Sequence, residues 1–367
     1  MWKLLSGRKL LFDPRPKMSK SDLYDFEGEF EKLTRYIGEP LVVVSGLRRT
    51  GKTSLVLTVL NESDRPYIFI DLREGFNSSR ELYTLLSRSF SDFVKRASRW
   101  SGVRDAFLKL LSRVRGVSVL GLEVSMNWLP DKRPLLSELF TVLDDVGERI
   151  GERVIVVFDE FQKSRGPIGL SLHNALSHSY DFHKNLSFIL TGSEMGILYG
   201  ILGDSKNPLY GRAYLEVRTR KLSREEALDF LGRGFAEAGI KVEEDEIEKV
   251  VEELDGIIGW LTYYGYLKVS GKGDFQNILN EAVELAKSEL ESFLKTRVSK
   301  RYRVVLKLLA EGVREWGKLK RAIENAEGIE LSDRVLHEVL QSLRNHSIID
   351  DENNFTDPIV KKATQLL

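Results

Sequence analysis

The chain has 367 residues, of which 42% are hydrophobic and 30% are charged, and this is enough apolar sequence for the cores of two or three domains. Lys and Arg together number 55, as do Asp and Glu, so no overall field draws the chain to nucleic acid or to a membrane. Because the sequence contains no cysteine, disulfide bonds, thiolate nucleophiles and cysteine zinc sites are excluded, and we expect an intracellular, cytoplasmic protein.

The first twenty residues are predicted to form a short N-terminal arm. Apolar residues between Met1 and Phe12 are interrupted by glycine and by charges, and no small-residue cleavage site follows them. The pattern therefore indicates neither a signal peptide nor a membrane span. Met18 is an alternative start of the chain.

A buried strand followed by a glycine-containing loop comes next. The apolar run Leu41 to Val44 predicts the strand, and the loop after it fits the phosphate-binding pattern GxxxxGK[ST]. Its glycines let successive backbone N–H groups turn toward phosphate oxygens, and the following helix adds the positive end of its dipole. Lys52 is placed to reach the β- and γ-phosphates of ATP, and the Thr53 hydroxyl to bind Mg²⁺. The predicted nucleotide-binding residues are Gly46, Leu47, Arg48, Arg49, Thr50, Gly51, Lys52, Thr53 and Ser54.

Strands and helices alternate after residue 41, which is typical of a parallel sheet with helices on both faces. Besides residues 41–45, strands are predicted at residues 67–71, 153–158, 186–191 and 214–218. Between the second and third strands, residues 82–114 predict amphipathic helices, and residues 117–128 predict an inserted hairpin that bends at Gly121.

The third predicted strand ends in two acidic residues. Apolar, mostly β-branched residues fill positions 154–158, and Asp159 and Glu160 follow them. This places both carboxylates at the edge of the sheet where ligands of α/β proteins bind. Asp159 is predicted to hold Mg²⁺ together with Thr53, and Glu160 to accept a proton from the attacking water.

Two later segments complete the predicted site. The fourth strand ends in Thr191, Gly192 and Ser193, and either hydroxyl could orient the water or sense the γ-phosphate; an ordinary turn is the alternative. Arg212, just before the fifth strand, is a candidate for stabilising charge on the transferred phosphoryl group, within its own subunit or on a neighbour. A plain surface arginine is the alternative there.

Residues 221–296 are predicted to form a helical lid. Ser223 and Glu226 make a capping box that starts its first helix, and two further helices are predicted at residues 244–254 and 275–294.

The last unit, residues 297–367, predicts a winged helix. Three helices, over residues 299–310, 316–324 and 332–345, precede a hairpin over residues 347–356. The third helix would offer side chains to DNA, namely Arg334, His337, Gln341, Arg344 and Asn345. Because acidic and basic residues nearly balance in this unit, a winged helix that docks a protein, or one that is purely structural, is at least as strong an alternative.

In order and spacing, these motifs resemble the archaeal ATPase family, within the AAA+/STAND group of P-loop NTPases. The matching segments are Gly46 to Thr53, Phe158 to Glu160, Thr191 to Glu194, Pro208 to Arg212, Leu222 to Ala227 and Phe355 to Pro358. The resemblance implies an α/β ATPase core over residues 21–220 with strand order 5-1-4-3-2, the helical lid, the winged helix, and ATP and Mg²⁺ as ligands. By analogy with origin-recognition ATPases, it also implies a role at DNA.

Two segments depart from the family pattern. Residues 25–31 lack the arginine that family members carry before the P-loop, where the chain passes the adenine, and Ile258 stands where the lid motif has proline. The second departure predicts a looser turn at residues 255–261.

We therefore predict a Mg²⁺-dependent ATPase that acts as a nucleotide-driven switch, with ATP and ADP as ligands and DNA or a protein as the partner of residues 297–367. The main alternative is an ATP-binding scaffold with little turnover, and a small-molecule kinase on the same P-loop is the third reading. No membrane contact is expected, and assembly into oligomers is compatible with the motifs.

Overall fold

The computed structural model describes residues 11–100, 102–297 and 299–367. Buried apolar side chains form three clusters: one lies between residues 26 and 217, one joins Phe12 to residues 222–286, and one lies between residues 290 and 349. Within the described ranges, no helix is both long and apolar enough to cross a bilayer.

A five-stranded parallel sheet forms the centre of the first cluster. The strands of the described chain are β1 (Leu41–Ser45), β2 (Tyr67–Asp71), β3 (Val117–Leu120), β4 (Glu123–Met126), β5 (Val154–Asp159), β6 (Leu186–Gly192) and β7 (Leu215–Arg218). The sheet has the order β7-β1-β6-β5-β2. If the five strands of this sheet are numbered 1 to 5 in chain order, this is the predicted order 5-1-4-3-2. Every residue of β1, β5 and β6 is buried, because helices cover both faces.

The helices of this unit are α1 (Glu27–Tyr36), α2 (Lys52–Glu62), α3 (Ser79–Arg96), α4 (Val103–Leu111), α5 (Leu136–Ile150), α6 (Gly166–Phe182) and α7 (Met195–Gly203). The predicted amphipathic segment is α3 and α4, and the predicted hairpin is β3 and β4, with Gly121 at φ 61° in its turn. β4 is fixed to α3, since Val124 N donates to Ser91 Oγ at 2.8 Å and Met126 N to Ser87 Oγ at 3.0 Å.

Four helices make up the lid: α8 (Arg224–Ala238), α9 (Glu244–Leu254), α10 (Ile258–Val269) and α11 (Phe275–Lys295). The capping box that starts α8 is as predicted, because Ser223 Oγ accepts from Glu226 N at 3.2 Å and Glu226 Oε2 accepts from Ser223 N at 2.7 Å. The sequence did not predict α10. Its glycines and aromatic residues give a weak helical period, and the helix is held instead by the burial of Trp260 and Leu261 in the lid core.

Phe12, which the sequence assigns to the N-terminal arm, belongs to the core of the lid. Its ring is 2% exposed and lies 5.0 Å from Phe235 and 5.6 Å from Phe230. A Cβ on Gly234 or Gly265 would come within 2.5 Å of this ring, so both glycines make room for it. Phe12 is therefore packed against the lid rather than part of a free arm. Residues 1–10 of the predicted arm lie outside the described residues.

The last unit contains α12 (Arg301–Ala310), α13 (Trp316–Glu327), α14 (Asp333–Asn345) and α15 (Pro358–Thr364). The predicted hairpin is reduced to a single bridge between Ile349 and Phe355. α15 was not predicted; the Asp357 carboxylate caps it by accepting from Ile359 N at 2.8 Å. Ile359 is buried in the lid cluster, so the end of the chain ties the winged helix to the lid.

A buried histidine joins α6 to the loop before β7. His173 is 3% exposed, and its Nδ1 and Nε2 lie 3.0 Å from Asn207 Nδ2 and 2.8 Å from Ser164 Oγ. Asn207 Oδ1 accepts from Leu209 N, which fixes the amide so that its NH₂ group donates to His173 Nδ1. The neutral ring with its proton on Nε2 satisfies both partners, and burial lowers the pKa of His173 to about 4.

This histidine makes stability fall in mild acid. Between pH 6.5 and 4 the unfolded chain binds a proton at residue 173 that the folded chain does not, so the free energy of unfolding drops by about 2 kcal/mol at pH 5. Denaturant unfolding of the wild type and of His173→Gln checks this: the difference between them should shrink by that amount from pH 8 to pH 5. Asn174→Gln, an exposed change on the same helix, is the control, and a pH-independent difference for His173→Gln would contradict the expectation.

Candidate functional site

The P-loop between β1 and α2 turns sharply because glycine stands at both ends. Gly46 has φ 151° and Gly51 has φ 84°, values that L side chains rarely adopt. A Cβ on Gly46 would lie 2.1 Å from Thr219 Oγ1. Thr50 closes the loop by donating from its hydroxyl to Leu47 O at 2.7 Å. The loop therefore holds its shape through its own contacts.

Lys52, the first residue of α2, points back into this loop. Its amine donates to Leu47 O at 2.6 Å and to Gly46 O at 3.0 Å, and its side chain is buried. Burial lowers the pKa of Lys52 to about 8, against the opposing attraction of Glu160 and Asp159. The amine is thus held by two carbonyl acceptors that phosphate oxygens could replace.

Asp159, at the end of β5, accepts from hydroxyl groups on both sides. Thr53 Oγ1 lies 3.1 and 3.2 Å from its two oxygens, and Thr191 Oγ1 donates to Oδ1 at 2.6 Å. Burial raises the pKa of Asp159, while the two hydrogen bonds oppose that rise. Parallel pairing of β5 with β6 brings Thr191 beside Asp159, as predicted from the two strand ends. Two hard oxygen donors, Thr53 and Asp159, therefore meet at one point, and this donor set fits Mg²⁺.

Glu160 follows in a left-handed conformation, with φ 56°. Its backbone N–H donates to Thr191 Oγ1 at 3.0 Å, and Ser193 Oγ donates to its Oε2 at 2.7 Å. Gln162 Nε2 also donates to Oε2. The structure thus brings together Thr191, Ser193 and Glu160 as predicted, and adds Gln162. A glutamine in the turn after a strand gives no sequence signal for this role.

Glu194, directly after Ser193, is the centre of a buried ion cluster. Its carboxylate is 4% exposed and accepts from Lys163 at 2.6 Å, Arg165 at 2.7 Å and Arg48 at 3.2 Å. Burial would raise the pKa of Glu194, but Lys163 and Arg48 outweigh it and hold the pKa below its usual value. Sequence reasoning gave Glu194 no role, because its partners come from three distant segments.

Arg49 ties the P-loop to the lid. Its guanidinium lies 3.9 Å from the centre of the Trp260 ring and donates to Glu289 Oε1 at 2.5 Å. Its carbonyl accepts from Gly259 N at 2.8 Å. Arg48 reaches the same Glu289 at 3.4 Å. The two arginines, which were predicted as nucleotide-binding residues, therefore carry contacts between the P-loop and the lid.

The lid turn near Ile258 is tightly held, contrary to the expectation of a looser turn. Leu222 N donates to Gly256 O at 2.8 Å, and a Cβ on Gly256 would lie 2.0 Å from Leu222 O. Ile258 begins α10, and a Cβ on Gly51 of the P-loop would lie 3.8 Å from Ile258 and 3.6 Å from Phe26. Glycine and main-chain bonds to the P-loop replace the constraint that proline supplies.

Two predicted residues have partners outside the phosphate loop. Ser54 Oγ accepts from Lys17 N at 3.1 Å. Arg212 donates to Asp181 Oδ2 on α6 at 2.6 Å and to Pro208 O at 2.5 Å. The structure therefore does not bring Arg212 into contact with Lys52, Asp159 or Glu160. By contrast, Thr191 bonds to Asp159 and Ser193 bonds to Glu160.

The winged helix is docked on the strand end that carries Thr191 and Ser193. Met195 N donates to Ser347 Oγ at 3.0 Å, and His346 Nε2 lies 3.7 Å from Glu194. A Cβ on Gly196 would lie 2.5 Å from Asn345 Cα. Asn345, one of the side chains predicted to face DNA, thus lies against α7.

The other predicted DNA-facing side chains are partly engaged within the protein. Arg334 pairs with Glu338 at 2.8 Å, and Arg344 donates to Asn353 Oδ1 at 2.8 Å. His337 and Gln341 are exposed.

Comparison with known proteins matches both parts of the chain to family models. Residues 23–263 match the model of an ATPase domain predominantly from Archaea, and residues 295–355 match the C-terminal winged helix-turn-helix domain of MCM proteins. No curated protein sequence matches the chain.

Two solved structures are similar over nearly the whole chain. A Walker-type ATPase of Pyrococcus abyssi is 33% identical, with 97% of this chain and 100% of that one covered and a TM-score of 0.80. The ORC2 protein of Aeropyrum pernix, solved in ADPNP and ADP complexes, is 15% identical over 97% of this chain and 96% of its own, with a TM-score of 0.60, and supports the fold alone. The chain is therefore an ATPase that belongs to the family of ATPase domains found predominantly in Archaea.

Proposed function

We propose that the protein hydrolyses ATP in a Mg²⁺-dependent manner and that the bound nucleotide decides whether the winged helix stays docked. The observation that carries the proposal is the arrangement around Asp159: Thr53 and Thr191 donate to it, and Glu160 beside it is held by Ser193. A cytoplasmic location, expected from the cysteine-free sequence, belongs to the same proposal.

The phosphates of ATP would lie against the backbone N–H groups of residues 48–53, where the dipole of α2 favours negative charge. Lys52 would then exchange its two carbonyl acceptors for β- and γ-phosphate oxygens. Thr53 and Asp159 are the residues that would hold Mg²⁺, which when bound supplies positive charge between those phosphates.

Glu160 is the proposed general base. Both hydrogen bonds to its carboxylate, from Ser193 and Gln162, go to Oε2, and among the described residues none goes to Oε1. Oε1 can therefore take the proton of a water whose oxygen attacks the γ-phosphorus, with ADP leaving. Ser193 and Thr191 keep the two carboxylates in place. Arg212 remains a candidate for stabilising the transferred group, and within its own subunit that role would require it to leave Asp181.

The proposed switch rests on a series of contacts that connects Glu160 and the P-loop to the winged helix. Ser193 touches Glu160, the next residue Glu194 touches Arg48 of the P-loop, and Met195 binds Ser347 of the winged helix. A γ-phosphate that pulls on Ser193 or on the P-loop would therefore strain a contact to the winged helix one or two residues away. A ligand with different affinity for two arrangements shifts their populations in this way.

Hydrogen exchange of Glu160→Gln protein, with Mg²⁺ and either ATP or ADP, tests the switch. We expect amides of residues 345–350 to exchange about tenfold faster in one nucleotide state, because their docking contacts are lost there. The hairpin over residues 117–126 serves as an internal control, and Ser347→Ala should reduce the difference by removing the acceptor of Met195 N. Equal exchange in both states would rule out the switch while leaving ATP hydrolysis standing.

DNA is one candidate partner, because release of α14 would free Asn345 on the helix whose His337 and Gln341 are already exposed. Duplex binding measured in both nucleotide states would reveal it, with the affinity falling steeply as salt rises. A protein partner is favoured instead if binding to DNA is equal in both states and independent of Gln341. Whether the ATPase assembles into oligomers is part of the same proposal, since Arg212 could then reach a neighbouring subunit.

A further inference from the structure

A cavity of about 710 Å³ lies where the P-loop, the lid and the winged helix meet. Its walls come from the outer side of the P-loop, the turn after β5, helix α11 and the segment after α14. Ligand sites commonly have volumes between 300 and 1,000 Å³. The cavity is therefore large enough for a small molecule of nucleotide size.

The residues that line this cavity differ in part from those of the phosphate cradle. Leu47, Arg48 and Arg49 line it, whereas Lys52, Thr53 and Asp159 are not among the described residues that line it. Lys52 donates to Gly46 O and Leu47 O. ATP in the P-loop and a second ligand in the cavity would therefore share Leu47, Arg48 and Arg49 as neighbours.

Positive charge exceeds negative charge on the cavity wall. Five cations line it: Arg48, Arg49, Lys163, Arg165 and Arg297. Four carboxylates also line it, namely Glu74, Glu194, Glu289 and Asp357, so positive charges exceed negative charges by one. His346 adds none, because burial lowers its pKa and its Nε2 accepts from Arg297.

These carboxylates leave some of the arginine donors at the cavity available. Asp357 is already used by Trp260 Nε1 and by the N-terminus of α15, and Glu74 is exposed. Arg48 and Arg165 keep 45% of their side chains accessible, so donors of both guanidinium groups are available to a further partner. Arginine forks of this kind match phosphate oxygens.

The opposite wall is apolar and comes from Phe76, Leu290, Phe293, Ile348 and Val360. From these two walls we propose that the cavity is a second ligand site, which binds a small molecule that carries at least two phosphate groups and an aromatic or apolar body. The phosphates contact Arg165, Lys163 and Arg48, and the body lies against Phe293 and Phe76. This site goes beyond the proposed hydrolysis of ATP, and Arg48, Glu194 and Ser347 belong both to its lining and to the contacts of the proposed switch.

Calorimetry with adenosine 3′,5′-bisphosphate as the probe tests this site, with the P-loop saturated by Mg²⁺ and ADP. We expect binding of one equivalent, weakened about tenfold or more by Arg165→Gln and by Lys163→Gln, since each removes a charged donor. Arg165→Lys keeps the charge and should retain part of the affinity. Arg224→Gln, which changes an exposed arginine paired with Glu248 on the lid, is the control and should bind as the wild type does.

Several outcomes would overturn the proposal. If no saturable binding were found, or if both glutamine variants bound the probe as tightly as the wild type does, the cavity would take no anion. Inorganic pyrophosphate binding as tightly as the bisphosphate would show that the apolar wall is not used. Tighter binding of a single-stranded oligonucleotide, with the same dependence on Arg165, would make the ligand a nucleic acid. A thermal unfolding curve of each variant separates lost binding from lost folding.

Discussion

Replacing Glu160 by glutamine should lower ATP turnover by about a hundredfold or more while ATP still binds. A general base contributes about 10²–10⁴-fold to a rate, and the amide that replaces the carboxylate cannot take a proton from water. The amide oxygen can still accept from Ser193 and Gln162, which now bond to Oε2, so the local structure should persist. Steady-state hydrolysis, together with equilibrium binding of ATP, measures the two effects separately.

Glu148→Gln is the matched control for this experiment, because Glu148 is exposed near the end of α5. It should change neither turnover nor binding. If Glu160→Gln turned over ATP as fast as the wild type, the base would have to be another group. If the wild type itself bound ATP without turnover, the alternative of a nucleotide-stabilised scaffold would be supported and the family's hydrolytic activity would be absent from this member.

Replacing Lys52 by alanine should weaken ATP binding by about a hundredfold, since charged hydrogen bonds are worth about 1.5–3 kcal/mol each and the amine reaches two phosphates. Turnover at cellular ATP concentrations would be lost with it. The folded chain loses only the two bonds from the amine to Gly46 O and Leu47 O. Fluorescence titration with an ATP analogue measures the affinity directly.

Thermal unfolding without nucleotide is the necessary check for Lys52→Ala, because the amine is buried between main-chain carbonyls. Lys184→Ala removes an exposed lysine just before β6 and should leave both affinity and stability unchanged. Unaltered ATP affinity in a folded Lys52→Ala protein would mean that the nucleotide does not bind at the P-loop, and the assignments of Thr53 and Asp159 would fail with it.

The two nucleotide experiments separate the proposed function from the second ligand site. Lys52→Ala changes the phosphate cradle of the P-loop, whereas Arg165→Gln changes the lining of the cavity between the P-loop, the lid and the winged helix. A probe whose binding is lost in Lys52→Ala but kept in Arg165→Gln occupies the P-loop. The reverse pattern identifies the cavity between the three units.

The strands and the loop that carry the predicted site could be inferred from local sequence. β1 and β5 are continuous apolar runs, and such runs form central parallel strands whose carboxyl ends lie at one edge of the sheet. Gly46, Gly51, Lys52 and Thr53 obey a pattern that few other loops satisfy. Thr191 and Ser193 end the next strand, so pairing of β6 with β5 was enough to bring them to Asp159 and Glu160.

Elements that lack a local signal were missed. α10 and α15 are short or rich in glycine and aromatic residues, and they are stabilised by burial against the lid rather than by their own helical period. The tight turn before Ile258 depends on hydrogen bonds to Arg49 and Leu222, which no pattern within residues 255–261 could indicate.

The sequence by itself determined the ATPase core, its P-loop and the paired acidic residues, since each depends on residue types at short, fixed spacings. The order of the strands was expected only from the resemblance to the family. Only the tertiary structure decided that Arg48, Lys163 and Arg165 surround Glu194, that Arg49 stacks on Trp260, and that α14 lies against α7. These contacts join residues that are far apart along the chain. Their partners depend on how the three units pack against one another. Charged side chains on helices and loops show no periodic pattern from which such packing could be predicted.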